Sequence, residues 1–444
     1  MSMRFLILAF LCLSFVARGQ YPTILTERER ARVVDELLED RLRNVLPALM
    51  RREGFDMWVI ISREYNEDPV IRTLLPATWF AARRTTMLIA FDRGIDKEME
   101  YLAVSRYDVG KMFKRAWDPE ANPDQWAQLG KIIADRNPKK IGINKAPYYG
   151  HADGLTANDY DNLVRVTPKN LQNRIASAEK LAVSWLETRT PREMVIYQQI
   201  CRIAHDIIRQ GFSDQVIQPG VTTTEDVVWW YREKIRELKL DTWFQTSVSI
   251  QRNEPEAVTA KRPQPLVIMP GDLLHVDFGI TYLRLNTDTQ QHAYILQPGE
   301  TDAPAFLKEA LKKGNRLQDI LTSHFREGRT GNDILKATRE QALAEGITPS
   351  IYTHPIGFHG HAAGTTIGMW DMQGGVPNTG DYPMHANTAY SIELNCTVNI
   401  PEWKRDIRIQ LEEDGFFDGA GFRYIDGRQK ELIIVPQPDG INRQ

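Results

Sequence analysis

Two aspartates eleven residues apart are the first sign of a chemical site in this 444-residue chain. They are Asp277 and Asp288, in the stretch GDLLHVDFGITYLRLNTDTQ, whose first part, Leu273–Ile280, has the pattern of a strand. On that strand His275 and Asp277 share one face, and the opposite face is apolar. If the chain turns and returns as a second strand over Leu285–Thr289, Asp288 comes to lie beside Asp277. Adjacent carboxylates repel each other unless a cation lies between them, so the stretch indicates a metal site or, alternatively, a solvated hairpin.

Two more acidic side chains lie on alternating segments near the C-terminus. The segment Ala389–Asn395 places Glu393 on a polar face opposite an apolar one, and Asp406–Asp414 does the same for Glu412. The stretch THPIGFHGHAAG precedes both segments and carries His354, His359 and His361. Clustered imidazoles gain little from burial without a partner, so a role for all three in packing alone is not expected. Four carboxylates and an imidazole suit Mn²⁺, Co²⁺, Fe²⁺ or Zn²⁺ and differ from a thiolate zinc site.

The order of these residues resembles a known metal set. Asp, a second Asp eleven residues on, then His, Glu and Glu resemble the ligands of the pita-bread metallopeptidases. That family includes aminopeptidase P, prolidase and methionine aminopeptidase, with creatinase as a metal-free relative, and the resemblance covers roughly residues 25 to 435. It implies an α/β N-terminal domain like that of creatinase, followed by an α+β pita-bread catalytic domain. It also implies two divalent metal ions, with manganese expected first and zinc, cobalt or iron as alternatives.

The resemblance implies a role for each site residue. The metal ligands would be Asp277, Asp288, His361, Glu393 and Glu412. Asp288 and Glu412 would bridge the two ions, and Glu393 would carry a proton between water and the leaving amine. His354 would face the substrate, while His359 is the alternative to His361 as the ligand; His354, His361 and Glu393 are the expected catalytic residues. The implied activity is exopeptidase cleavage of short peptides, of Xaa-Pro aminopeptidase or prolidase type, by a hydroxide that bridges the metals.

Several departures from the family pattern leave other functions open. Ala260 lies near the position where the family carries a histidine that helps to bind substrate. Gln290 and Gln291 replace the Thr-Arg pair that is usual after the second aspartate, and Gln410 replaces an arginine before the last glutamate. Substitution of residues that surround the metal ligands commonly changes activity about tenfold to a hundredfold. The alternatives are a metal-free hydrolase of creatinase type and a catalytically silent binding protein on the same fold.

The chain begins with the pattern of a secretory signal peptide at residues 1–19. Arg4 precedes a short apolar run, and Ala17-Arg18-Gly19 offers small residues for cleavage. The sequence therefore predicts a secreted or periplasmic protein cleaved near Gly19. Removal of this peptide leaves Cys201 and Cys396, which are too few and too far apart to predict a disulfide framework.

The elements that must position the site fall into two predicted domains, residues 20–178 and residues 179–444. The first begins with an amphipathic helix over Thr26–Arg52 and continues as an α/β domain. Its strands are predicted at Met57–Ser62, Thr86–Phe91, Met99–Ser105 and Lys140–Asn144. Arg83 and Arg84 of this domain could reach a substrate carboxylate, although ordinary surface charges are favoured.

The second predicted domain combines long helices with the strands that carry the acidic residues. Its helices are predicted from Thr190 to about Gln210, and at Thr224–Leu238, Pro304–Arg326 and Gly331–Glu345, with a strand at Trp243–Ile250. A net charge of −3 without a basic cluster argues against nucleic acid or an anionic membrane as partner. The expected partner is a short peptide substrate, and the family resemblance implies a homodimer.

Overall fold

The structure is a computed structural model that describes residues 22–254 and 264–436. The predicted signal peptide and Ala260 lie outside these residues. Within the described ranges, the helices are too short or too polar to cross a bilayer.

The N-terminal domain is a six-stranded mixed sheet with helices on both faces. Its strands are β1 (Met57–Arg63), β2 (Thr85–Phe91), β3 (Glu100–Val104), β4 (Lys114–Arg115), β5 (Ile141–Ile143) and β6 (Ile175–Ser177), in the order β4-β3-β2-β1-β5-β6. Its helices are α1 (Glu27–Asn44), α2 (Leu46–Arg52), α3 (Pro69–Leu74), α4 (Gln125–Arg136) and α5 (Ala157–Val166). Successive side chains of the central strand β1 enter cores on opposite faces: Trp58 and Ile60 on one, Val59 and Ile61 on the other. The four predicted strands are confirmed.

The first predicted helix is two helices. Its start is confirmed, because Thr26 caps α1 and forms a capping box with Glu29. Its continuity is wrong, because α1 ends before Val45 and Pro47 occupies the first turn of α2. Proline has no backbone N–H to donate and crowds the preceding turn, so the first helix ends and a second one starts there. Arg83 and Arg84 are exposed, and Arg83 lies over the ring of Trp79.

The second domain packs helices outside three small sheets. The helices are α6 (Glu179–Glu187), α7 (Pro191–Gly211), α8 (Thr224–Glu237), α9 (Ala305–Ser323) and α10 (Gly331–Ala344). The first sheet contains β7 (Ser247–Gln251), β8 (Leu273–Phe278), β11 (Thr289–Ile295) and β19 (Ile433–Val435), in the order β19-β11-β8-β7. Between β8 and β11 the chain makes the small hairpin β9 (Thr281–Tyr282) and β10 (Leu285–Asn286).

The chain passes back and forth between the other two sheets. One contains β12 (Thr348–Ile351), β15 (Leu394–Ile400) and β16 (Arg405–Leu411), and the other contains β13 (His354–Pro355), β14 (Thr388–Ser391), β17 (Asp414–Phe417) and β18 (Phe422–Tyr424). Helices α7 and α8 share a core with β8 and β11, whereas α9 and α10 share a core with β15 and β16. The result is two helix-on-sheet halves whose strands meet between them.

Buried charges tie the two domains together. Arg41 of α1 reaches Glu193 at the start of α7, at 2.9 Å, and Arg189 contacts the same carboxylate at 3.2 Å. All three side chains are buried. Breaking such a buried pair costs about 3–5 kcal/mol, because the remaining charge loses its partner. Helix α6 also packs on the N-terminal side, where Trp185 enters the core that contains Trp58.

A second buried charge group fastens α7 to the last strands. The His205 ring lies between two carboxylates, with Nε2 at 2.7 Å from Glu413 and Nδ1 at 2.9 Å from Asp426. Burial lowers the pKa of His205, but the two carboxylates outweigh burial and raise that pKa to about 10. His205 is therefore an imidazolium at neutral pH.

Candidate metal centre

The first two aspartates lie on a hairpin, as predicted. Asp277 is near the end of β8, and β11 runs antiparallel to it with Gln290 opposite Asp277. Asp288 immediately precedes β11. The returning strand was expected over Leu285–Thr289, but it begins only at Thr289, because the β9–β10 hairpin occupies the turn. The two aspartates nevertheless lie side by side.

The two glutamates lie in breaks between strands. The sequence pattern predicts one strand over Ala389–Asn395, but β14 ends at Ser391 and β15 begins at Leu394, which leaves Glu393 between them. In the same way Glu412 lies between β16 and β17, and not inside a continuous strand. In both places the chain passes from one sheet to another, so the alternation of side chains continues while the strand pairing changes.

The break at Glu412 brings the first sheet into contact with the other two. The backbone N–H of Gln290 donates to the Glu412 carbonyl at 3.0 Å, and the N–H of Glu412 donates to the Gln290 carbonyl at 3.3 Å. Across the other side of the break, the N–H of Ile392 donates to the Glu413 carbonyl at 3.0 Å. Three sheets therefore converge where the carboxylates lie.

The predicted site residues come together in three overlapping groups. Within each group the ligand atoms lie within 4.8 Å of one another, and the groups are Asp277–Asp288–Glu412, His354–Glu393–Glu412 and Asp288–His354–His361. Asp288 and Glu412 each belong to two groups, as expected for residues shared by neighbouring ions. His354 also belongs to two, and His359 belongs to none of these three groups.

The carboxylates of this cluster repel one another in a buried space. Burial raises the pKa of Asp277 to about 8, and the charge of Glu412 contributes to this rise. Burial and the neighbouring carboxylates raise the pKa values of Asp288 and Glu393 well above their ordinary range. Among the described residues, one oxygen of Asp277 and one of Asp288 are buried without a hydrogen-bond partner. A divalent cation would satisfy both the charge and the free oxygens, so the donor set fits a metal.

His354 offers a free nitrogen to the carboxylates. Its Nδ1–H donates to the Pro355 carbonyl at 2.9 Å, which leaves a lone pair on the buried Nε2, and Nε2 lacks a hydrogen-bond partner in the described part of the chain. This nitrogen lies 3.7 Å from Glu412, 3.8 Å from Asp288 and 4.0 Å from Glu393. These separations are too long for hydrogen bonds but shorter than two metal–ligand bonds of about 2.1 Å each. They fit an ion held between the imidazole and the carboxylates.

The other two histidines of the loop lie in different surroundings. His361 is exposed, and its ring centre lies 4.8 Å from that of His354 and 5.1 Å from that of Trp243. His359 turns towards the N-terminal domain, where its ring centre lies 4.6 Å from that of His151. Burial lowers the pKa of His359 to about 3, and His151 contributes to this effect. His361 therefore borders the cluster, while His359 lies away from it.

Sequence reasoning missed a polar contact that supports the cluster. It noted Gln290 only as a departure from the family pattern, yet the Gln290 amide bonds both glutamates and is itself bonded by His275. The available signal was spacing, because a side chain two residues after Asp288 on a strand points to the same side. Trp243 was expected in a strand, but β7 starts at Ser247. Trp243 instead packs on His361, and its Nε1–H donates to the Thr287 carbonyl at 2.9 Å.

Solved structures share this architecture over nearly the whole chain. The X-Pro aminopeptidase of Thermotoga maritima MSB8 matches 87% of this chain and 100% of its own, with a TM-score of 0.61 and 16% sequence identity. For the Xaa-Pro dipeptidase of Bacillus anthracis the shares are 92% and 100%, with a TM-score of 0.54 and 16% identity. For a variant of Escherichia coli aminopeptidase P they are 92% and 97%, with a TM-score of 0.56 and 11% identity. At such identities the likeness establishes the fold, and the predicted two-domain fold class is confirmed.

The sequence itself points to the same group. No curated protein matches the chain in sequence. The sequence model of metallopeptidase family M24 matches residues 196–416, a segment that contains the acidic cluster from Asp277 to Glu412. The chain therefore belongs to metallopeptidase family M24, the pita-bread family, and is a metallopeptidase.

Proposed function

We propose that this protein is a dinuclear metal exopeptidase that cleaves short peptides next to proline, of Xaa-Pro aminopeptidase or prolidase type. The observation that carries the proposal is the convergence of four carboxylates and a free imidazole nitrogen on one buried space. The family supports peptide hydrolysis. Preference for proline is supported by the named activities of the X-Pro aminopeptidase and the Xaa-Pro dipeptidase that share the fold.

The proposed ligand set changes one earlier assignment. The residues that would hold the metals are Asp277, Asp288, His354, Glu393 and Glu412. We favour His354 over His361 as the imidazole ligand because its Nε2 is buried, lacks a hydrogen-bond partner among the described residues and faces three carboxylates. Asp288 and Glu412 would be the bridging residues, since each belongs to two groups of ligand atoms. When bound, two divalent ions supply Lewis acidity for the scissile carbonyl and lower the pKa of a water molecule towards neutrality.

The remaining steps belong to side chains of this chain. The Glu393 side chain is 22% exposed, against 5% for Asp288 and 1% for Glu412, so it is the more accessible carboxylate of these three. This access to solvent suits a group that takes a proton from water and passes it to the leaving amine. His361 is exposed beside Trp243, where it would contact the peptide, while the Trp243 ring provides an apolar wall.

Three further properties are inferred with support from the sequence alone. We infer manganese as the metal from the oxygen-rich ligand set. Export from the cytoplasm is supported by the signal-peptide pattern of residues 1–19. A homodimer is supported by the family resemblance.

The test is elemental analysis of protein purified without chelator and reloaded with Mn²⁺, followed by peptide cleavage. We expect two ions per chain. Loaded protein should then release the first residue from Xaa-Pro dipeptides or from Xaa-Pro-Yaa tripeptides, and the matched Xaa-Ala peptides serve as controls. Cleavage of the dipeptides alone would indicate the prolidase type, whereas cleavage of the tripeptides would indicate the aminopeptidase type. A chain that binds no metal under any loading, or one that binds two ions and cleaves none of the peptides, would overturn the proposal.

A further inference from the structure

The Gln290 side chain joins the two glutamates of the metal centre. Its amide nitrogen donates to Glu412 Oε2 at 2.6 Å and to Glu393 Oε1 at 3.0 Å. Gln290 is 4% exposed, so bulk water does not replace these bonds. Glu393 and Glu412 occupy facing positions on paired segments, between the Ser391–Asp414 pair of β14 and β17 and the Leu394–Leu411 pair of β15 and β16. The backbone therefore places the two residues side by side, and the Gln290 amide fixes how their carboxyl groups are oriented.

The direction of the Gln290 amide is determined by its surroundings. Both hydrogens of the amide nitrogen point to carboxylate oxygens, which accept hydrogen bonds and do not donate them when ionised. A reversed amide would set its oxygen against the same two carboxylates, and the contact would be repulsive. The amide oxygen must therefore face the other way, where it needs a donor.

His275 supplies that donor. Its Nε2 lies 2.8 Å from Gln290 Oε1, and Ser249 Oγ lies 3.4 Å from its Nδ1. Since the amide oxygen can only accept, Nε2 carries the hydrogen and Nδ1 accepts from the serine hydroxyl. His275 is 5% exposed and lies on the same strand face as Asp277. Its ring therefore holds the amide in the direction that the glutamates require.

These bonds leave the glutamates free to bind metal. A carboxylate oxygen has two lone pairs, so an oxygen that accepts one N–H can still coordinate an ion. Glu412 Oε2 accepts from Gln290, and Glu412 Oε1 accepts from Ser391 Oγ at 2.5 Å. Each bond fixes a direction for the remaining lone pair. Replacement of a side chain that hydrogen-bonds to a metal ligand commonly lowers metal affinity about tenfold to a hundredfold.

We propose that Gln290, oriented by His275, is a positioning residue that holds the carboxyl groups of Glu393 and Glu412 in the orientation that two metal ions require. This inference rests on the proposed metal centre. It adds two side chains to that centre, Gln290 and His275, of which Gln290 departs from the family pattern. It also predicts that His275 acts through Gln290 and has no separate effect on the metals.

The test compares Mn²⁺ binding to chelator-stripped variants by isothermal titration calorimetry. Gln290→Met keeps the length and burial of the side chain and removes its donors, so we expect Mn²⁺ affinity to fall about tenfold to a hundredfold. The matched control is Gln291→Met, because Gln291 is also buried and donates to a carboxylate, that of Glu413 at 2.9 Å, which is not a proposed ligand. We expect the control to keep wild-type Mn²⁺ affinity.

Variants of His275 test the orienting step. His275→Leu should weaken Mn²⁺ binding in the wild-type background, whereas in the Gln290→Met background it should change affinity by less than about twofold, because coupled residues are not additive. His275→Gln should restore most of the affinity, since its amide can donate from the position of Nε2. Circular dichroism melting of each metal-free variant separates loss of folding from loss of binding.

The outcomes separate this inference from the proposed function. Wild-type Mn²⁺ affinity in folded Gln290→Met, or additive losses in the double variant, would overturn the positioning role. If Gln290→Met does not fold, the comparison of His275→Leu with His275→Gln decides the same question. A wild-type chain that binds two ions in a Gln290-dependent way but cleaves no peptide would keep the positioning role and overturn the peptidase proposal. A wild-type chain that binds no Mn²⁺ would overturn both.

Discussion

Replacement of Asp288 by asparagine should make the metal-free protein more stable and the metal-loaded protein less stable. The change keeps the size of the side chain and removes one negative charge from a buried group of carboxylates. Without metal, Asp288 is repelled by Glu412, Asp277 and Glu393, and it has one buried oxygen without a partner among the described residues. With metal, the same carboxylate would bridge the two ions. The sign of the effect on stability should therefore reverse with loading.

The structure sets the size of each effect. Two charges 4.8 Å apart, the upper limit for the ligand atoms of a group, repel by about 3 kcal/mol at an effective dielectric constant of about 20. Part of this repulsion is relieved by proton binding, so metal-free Asp288→Asn should gain about 1–3 kcal/mol. A ligand at about 1,000 times its dissociation constant stabilises the native state by about 4 kcal/mol, which wild type should gain from Mn²⁺ and the variant should largely lose.

The assay is urea unfolding at pH 8, with chelator and with excess Mn²⁺. The matched control is Asp272→Asn, because Asp272 is also buried near the start of β8 but is paired with Arg252 at 2.6 and 2.7 Å. Loss of a buried partner should destabilise that variant by about 3–5 kcal/mol in both conditions. A metal-bridging role for Asp288 is excluded if Asp288→Asn is less stable than wild type in chelator, or if Mn²⁺ stabilises it as much as it stabilises wild type.

Three further predictions follow from single side chains. The folded-state pKa of His205, about 10, lies above its ordinary value of 6.5, so its contribution to stability is complete below pH 6.5 and is lost as the pH rises towards 10. His205→Gln should therefore reduce the fall of the urea unfolding midpoint between pH 6.5 and pH 10. An unchanged dependence of the midpoint on pH would contradict the assignment. Gly360→Ala should lower stability by about 1–3 kcal/mol, because a Cβ there would lie 2.2 Å from the Trp243 ring; thermal melting measures the effect, and a wild-type melting temperature would show that the ring moves away at no cost. His354→Ala should lose bound Mn²⁺ by elemental analysis while His359→Ala keeps it, and the reverse result would exclude the proposed ligand.

The chemistry of the site was more predictable from the sequence than its backbone. The residue types and their order identified the acidic cluster, because a carboxylate on an otherwise apolar strand is costly without a cation. The same alternation predicted continuous strands through Glu393 and Glu412, and it could not reveal the breaks. Side chains alternate in the same way along one strand and across a change of sheet. The periodicity of the sequence therefore does not show which strand a segment pairs with.

The roles of the histidines depend on long-range packing. His354, His359 and His361 lie within eight residues and carry the same chemical groups, so spacing alone left the ligand open. What distinguishes them is their neighbours: the carboxylates around His354, Trp243 beside His361, and His151 beside His359. Contacts between residues so far apart in sequence are not encoded in any local pattern.

The convergence of three sheets has a consequence for when the protein can acquire its metal. The proposed ligands extend from Asp277 to Glu412, and β11 receives its second neighbour only from β19, the last strand of the described chain. A growing chain therefore has no complete metal site until Glu412 has been synthesised, and an unfolded chain has none at all. If the predicted signal peptide exports the chain before it folds, loading takes place after export. Availability in that outer compartment, and not in the cytoplasm, then selects the ion that the enzyme carries.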